Sequence, residues 1–139
     1  MKTLGLIIGL ALTGLITSAQ DNTGATVKVT IANILSDHGT ILASLHTADT
    51  FMKGQGISDD AISAKKGEVT LTFKNVKPGT YAIMVLHDEN ENERMDYEAN
   101  GMPKERYATT GTVELYGPPT FEGAKFDLAD KDLELRIRF

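Results

Sequence analysis

Apolar and polar residues alternate with a period of two through most of this chain, and that leaves few folds open to it. "TVKVTIA" puts Val27, Val29 and Ile31 on one face and Lys28 and Thr30 on the other. "TILASLH" repeats the pattern with Ile41, Ala43 and Leu45, and "EVTLTF" with Val69, Leu71 and Phe73. "DLELRIRF" carries it through Leu133, Leu135, Ile137 and Phe139. Successive side chains of a strand point to opposite faces, so each segment predicts a half-buried β-strand. "TYAIMVLH" differs, because Tyr81, Ile83 and Val85 share one face while Ala82, Met84 and Leu86 make the other apolar too. A strand apolar on both faces is expected to be central and covered on both sides.

Turn chemistry separates these runs. "SDHG" (36–39) suits a hairpin, and "KPGT" (77–80) sets Pro78 before Gly79 in a type II pattern. Between 49 and 66 the pattern is ambiguous. Phe51, Met52 and Ile62 are expected to dock a loop, and "SDDAISA" to form a short helix capped by Ser58. Two further extended segments are expected at Ala108–Leu115 and Ala124–Leu128, divided by "GPPTF", where Pro118 and Pro119 have no backbone donors. The expectation is an all-β chain: a single antiparallel β-sandwich of about seven strands, immunoglobulin-like or prealbumin-like, with a long acidic loop. A small barrel is the alternative.

Lys2 followed by "LGLIIGLALTGLI" and "TSA" reads as a secretory signal peptide over residues 1–19, cut between Ala19 and Gln20. Its apolar run is shorter than the roughly 20 residues that span a bilayer. Secretion or a periplasmic location follows, with one domain over residues 20–139. Removing Lys2 leaves 13 Lys and Arg against 19 Asp and Glu, a net charge of −6. So acidic a surface excludes nucleic acid as a partner and disfavours anionic membranes. An extracellular protein or a glycan is the partner class left; oligomeric state stays open. There is no Cys, so no disulfide can staple the domain, and no Trp for stacking on sugars.

One stretch departs from ordinary β patterning. After the apolar run, "HDENENERMDYE" (87–98) crowds carboxylates together. Every second residue from Asp88 gives Asp88, Asn90, Asn92, Arg94 and Asp96. Ca²⁺ takes 6–8 oxygen ligands, and a D-x-N-x-N spacing in a tight loop turns alternate side chains toward its centre. Arg94 would supply its backbone carbonyl, Asp96 a carboxylate or a water, and Glu98 would help complete the shell. Glu89, Glu91 and Glu93 occupy the other parity and are expected to face water. The pattern is not an EF-hand: Glu93 stands where that loop has glycine, and Ala99 where it has a bidentate Glu. A solvated acidic loop is the competing reading.

His87 is the best-placed acid–base residue, and its expected role is to brace the loop from behind through a ring hydrogen bond. No residue is assigned as catalytic: there is no Cys nucleophile, no G-x-S-x-G and no H-E-x-x-H. A His-rich zinc site would need His38 and His46 to meet His87.

Several spaced motifs carry a resemblance. The residues are Pro78, Gly79 and Tyr81; His87, Asp88, Asn90, Asn92 and Asp96; Gly101, Pro103, Glu105 and Tyr107; then Gly117, Pro118, Pro119, Phe121, Ala124 and Phe126. In this order, across roughly residues 25–139, they resemble domain of unknown function 2141, a family of small exported bacterial proteins. Glu93 replaces the glycine usual there, and "YATT" stands where the family tends to Tyr-Gly-Phe-Ser-Asn. The resemblance implies a compact β fold and export, and it assigns no activity. The function expected is an exported, non-enzymatic module with a Ca²⁺-binding loop. The alternative is a small-ligand binder or hydrolase-like enzyme of transthyretin-like shape, centred on His87 with Glu105 and Tyr107.

Overall fold

The computed structural model describes residues 24–112 and 116–139. The signal-peptide segment 1–19 and residues 113–115 of an expected strand lie outside the described residues. In order come β1 (Ala25–Ile34), β2 (Thr40–His46), β3 (Ser58–Ser63), β4 (Gly67–Val76), β5 (Gly79–Asp88), β6 (Tyr107–Thr109), the helical turn α1 (Phe121–Ala124), β7 (Phe126–Leu128) and β8 (Leu133–Arg138). They build two sheets, ordered β4-β1-β8 and β3-β2-β5-β6, with β7 also paired to β5.

The alternating runs become strands for the reason their pattern gives. Val27, Val29, Ile31, Ile41, Ile83 and Val85 are fully buried, while Lys28 and Thr70 face outward. Side chains from both sheets meet in one apolar cluster that also takes in Leu71, Phe73, Leu128 and Ile137. Each fully buried Val, Ile or Phe contributes about 1.5–3 kcal/mol of transfer free energy, an upper bound because the unfolded chain already buries some surface. β5 is covered on both faces, as its composition predicts: Ala82 is buried on the far side in a second cluster with Phe51 and Ala124.

Five expectations are corrected. Ser58–Ser63 is a strand, not a capped helix; it pairs antiparallel with β2 from Thr40↔Ser63 to Leu45↔Ser58. The open edge of β2 satisfies its backbone groups, and Asp60 Oδ2 accepts from Thr72 N at 3.3 Å in β4 of the other sheet. Met52 and Ile62 stay exposed, and only Phe51 docks. The strands are not all antiparallel either. β8 runs parallel to β1, from Val27↔Leu133 to Ala32↔Arg138, a choice that alternation does not encode. Gly79 lies in β5 without the positive φ of a type II turn; the left-handed residue at that end is Asn75 (φ 57).

The fifth correction concerns the segment after β6, which leaves β5 after three residues. Thr110 N donates to Ile83 O at 2.9 Å, and its Oγ1 accepts from Ile83 N (2.9 Å) and donates to Ala124 O (2.6 Å). Gly111 (φ 80) then lets the chain turn against Gly123 O, which a Cβ would meet at 2.0 Å. Ala124 closes α1, whose cap Thr120 accepts from Gly123 N. β7 follows and takes the vacated edge of β5, opposite Gly79–Tyr81.

Among the described residues no helix is long and apolar enough to cross a membrane.

Candidate metal site

Asp88 ends β5, and alternation turns its side chain away from the core face that holds Val85 and His87. It is nevertheless only 1% exposed, because the acidic loop folds back over it. Its Oδ1 accepts from Asn92 N at 3.2 Å and its Oδ2 from Glu93 N at 2.7 Å. Gly39 (φ 75) passes close beneath, where a Cβ would meet Asp88 O at 2.1 Å. Glu91 and Glu93 adopt φ values of 57 and 61, so the loop keeps the left-handed path that a glycine would take more easily. A non-glycine residue there costs roughly 1–2 kcal/mol, and a glycine adds roughly 0.5–1 kcal/mol of unfolded-state entropy. Glu93→Gly is therefore expected to stabilise the metal-free protein by about 0.5–1 kcal/mol, read as a higher melting midpoint in EDTA. A lower midpoint would show that the Glu93 side chain makes up for its backbone cost.

The inward parity is tied together by amides. Asn90 Nδ2 and Asn92 Nδ2 donate to Asp96 Oδ2 at 2.6 and 2.8 Å. Their oxygens accept from backbone, Asn90 Oδ1 from Asn92 N at 3.2 Å and Asn92 Oδ1 from Arg94 N at 3.1 Å. Arg94 Nε stands 3.8 Å from Asp96 Oδ1. The Asn90 amide foremost, helped by Asn92, Arg94 and Lys104, holds the Asp96 carboxyl below its ordinary range. Glu89, Glu91 and Glu93 are exposed, and two of them clip the loop to the sheet. Ser36 donates to Glu89 Oε1 at 2.7 Å, and Thr40 to Glu91 Oε1 at 3.4 Å.

Glu105 joins this group, and the spacing within the loop did not reveal it. β6 pairs with β5 at Leu86↔Tyr107, and His87 N donates to Arg106 O at 2.9 Å. One step further, that register sets Glu105 across from Asp88. Glu105 Oε2 accepts from Asp96 N at 3.2 Å, and Lys104 N donates to Asp96 O at 2.8 Å. Glu105 Oε1 is buried and has no donor among the described residues. Burial first, and then the charges of Asp88 and Asp96, push its carboxyl above the usual Glu range. Two facing carboxylates have acceptors only, and a proton or a cation between them would relieve the repulsion. The usable sequence signal was the antiparallel return: residues just before β6 must lie opposite those just after Leu86.

Glu98 takes a different place. It is exposed, and its backbone closes a turn by donating to Met102 O (2.7 Å) and accepting from Gly101 N (2.8 Å). No hydrogen bond among the described residues brings its carboxylate to Asp88 or Asp96. Nor do three or more His, Asp or Glu side chains, among those residues, already surround a metal-sized point. The amide nitrogens of Asn90 and Asn92 hold Asp96 instead, and both amides must turn before their oxygens can serve a cation.

Residues 29–136 match the family model described as an uncharacterized protein conserved in bacteria, domain of unknown function 2141. The chain belongs to this family. The match takes in every residue from Asp88 to Glu105. No curated protein and no solved structure matches the chain.

In this member of domain of unknown function 2141, His87 is 1% exposed and its Nε2 lies 2.8 Å from the His38 carbonyl. Its ring lies 6.1 Å from that of Phe139. Tyr107 stands opposite Leu86 on the other face of the sheet, and Glu105 opposite Asp88. His87, Glu105 and Tyr107 therefore do not share a cleft. His46 is buried at the far end of β2, edge-on to Phe51 at 5.8 Å, and burial lowers its pKa. The three histidines do not converge.

Proposed function

We propose that the chain is an exported, non-enzymatic β-sandwich module, immunoglobulin-like or prealbumin-like, whose acidic loop binds Ca²⁺. The ligands are the side chains of Asp88, Asn90, Asn92 and Asp96 and the Arg94 carbonyl, with Glu105 taking the place expected of Glu98. The observation that carries this reading is the buried, donorless Glu105 Oε1 facing the Asp88 carboxylate. All of these donors are hard oxygens on a pliable loop, which suits Ca²⁺ better than the rigid octahedron of Mg²⁺. Two sheets sharing one apolar cluster support the sandwich, and the apolar run after Lys2 supports export.

The ion orders the strap from Asp88 to Tyr107. On this strap Tyr97 and Met102 stand 60% and 62% exposed and offer a contact surface to an extracellular protein or glycan. Affinity falls in the range of about 10⁻⁴–10⁻³ M that suits extracellular modules. At about 10 mM Ca²⁺ the folded state then gains about 1.4–2.7 kcal/mol, and the melting midpoint rises by about 5–10 °C relative to EDTA. Calorimetric titration should give one site per chain. An unchanged midpoint, with no heat of binding, sinks the reading.

A further inference from the structure

We propose that the cleft between β6 and the end of β8 is a second site, for a small aromatic carboxylate. β6 is the outer strand of one sheet and β8 of the other. Between their edges lies a half-open hollow of about 520 Å³, lined by Tyr107, Ala108, Gly117, Pro119, Arg138 and Phe139 among others. That volume falls within the range of small-molecule sites, which are mostly apolar with a few polar anchors.

The apolar wall is held in place before any ligand arrives. Phe139 N donates to Ala32 O at 3.2 Å, and Phe139 O accepts from Asn33 Nδ2 at 2.6 Å. The Arg106 guanidinium stands 5.6 Å from the centre of the Phe139 ring, and His87 packs beside it.

Charge supplies the ligand class. β8 carries three outward charged side chains. Glu134 is paired with Lys28 at 3.7 Å and Arg136 with Glu68 at 2.7 Å. Arg138 is exposed and has no ion partner among the described residues, and its side chain is the one charged side chain lining the hollow. A single guanidinium matches a single carboxylate as a two-point donor, and Ala108, Pro119 and Phe139 cover a flat apolar body.

The test is titration of the ¹⁵N-labelled protein with 2-naphthoate and with its uncharged counterpart 2-naphthalenemethanol, each in Ca²⁺ and in EDTA. Naphthoate is expected to give saturable shifts at Tyr107, Ala108, Gly117 and Phe139, and to bind at least about tenfold more tightly than the alcohol. Arg138→Leu should weaken naphthoate about 10- to 100-fold, leave the alcohol unchanged and preserve the rest of the spectrum, while Arg138→Lys recovers part of the loss. The idea is overturned by the absence of saturation at about 10 mM, by equal binding of acid and alcohol, or by shifts indifferent to Arg138→Leu. The EDTA arm keeps this outcome separate from that of the calcium reading.

Discussion

Replacing Asp88 by alanine is expected to abolish the calcium-dependent rise in melting midpoint and to lower the metal-free midpoint as well. The two losses have different causes. In the metal-free protein the Asp88 carboxylate accepts from Asn92 N and Glu93 N and fixes the left-handed bend at residues 91–93. Hydrogen bonds to a charged group contribute about 1.5–3 kcal/mol each. Asn92 N keeps Asn90 Oδ1 as an acceptor, the part-buried Glu93 N turns to water, and the repulsion from Glu105 disappears. The expected net cost is about 1–3 kcal/mol, or about 3–15 °C. In the metal-bound protein the loss is larger, because Asp88 is the most buried carboxylate of the loop. Calcium affinity should fall at least about 100-fold, out of the reach of calorimetry at millimolar ion. Asp88→Asn separates the two effects. It keeps an acceptor for the loop amides and removes the charge, so the metal-free midpoint should hold while the calcium shift is lost. An Asp88→Asn protein that still melts higher in Ca²⁺ would place the ion elsewhere.

What could be read beforehand follows from what alternation encodes. β1, β2, β4, β5 and β8 were legible because one face of each is buried against the other sheet, and burial writes a period of two into the sequence. β3 was not, since nearly every one of its side chains is exposed and its strand character comes from the backbone of β2. The parallel direction of β8 was also hidden, because alternation is the same whichever way a strand runs. The site divides similarly. Asp88, Asn90, Asn92 and Asp96 are local in sequence, and the spacing placed them together. Glu105 lies 17 positions after Asp88 and reaches it through the β5–β6 register, information held by neither segment alone. The Asn amides were expected to offer oxygen inward, but in the fold their oxygens bond the loop's own backbone and their nitrogens take Asp96.

Glu105→Gln should shift the metal-free and metal-bound proteins in opposite directions, which separates a cation site from a merely solvated acidic loop. In EDTA the amide can keep an oxygen toward Asp96 N and turn an N–H to the Asp88 carboxylate. One repulsion becomes one hydrogen bond, and stability should rise by about 1 kcal/mol near neutral pH. In Ca²⁺ a charged ligand has been lost, and affinity should fall tenfold or more. The pH dependence has a definite sign. Glu105 has a folded pKa above the ordinary Glu value of 4.5, so the folded state binds its proton more tightly than the unfolded chain does. Its contribution is fully present below the unfolded value and is lost as pH rises through the folded one, so metal-free stability declines across that window. Asp96 is shifted the other way, and its contribution is present above 3.8 and lost as pH falls through its lower folded value. Denaturation midpoints in EDTA should therefore fall as pH climbs from the ordinary Glu range, and Glu105→Gln should flatten that decline. Ca²⁺ should do the same in the wild-type protein, because the ion takes the place of the proton between Glu105 and Asp88. A solvated loop predicts the flattening by Glu105→Gln and no effect of Ca²⁺ on either protein.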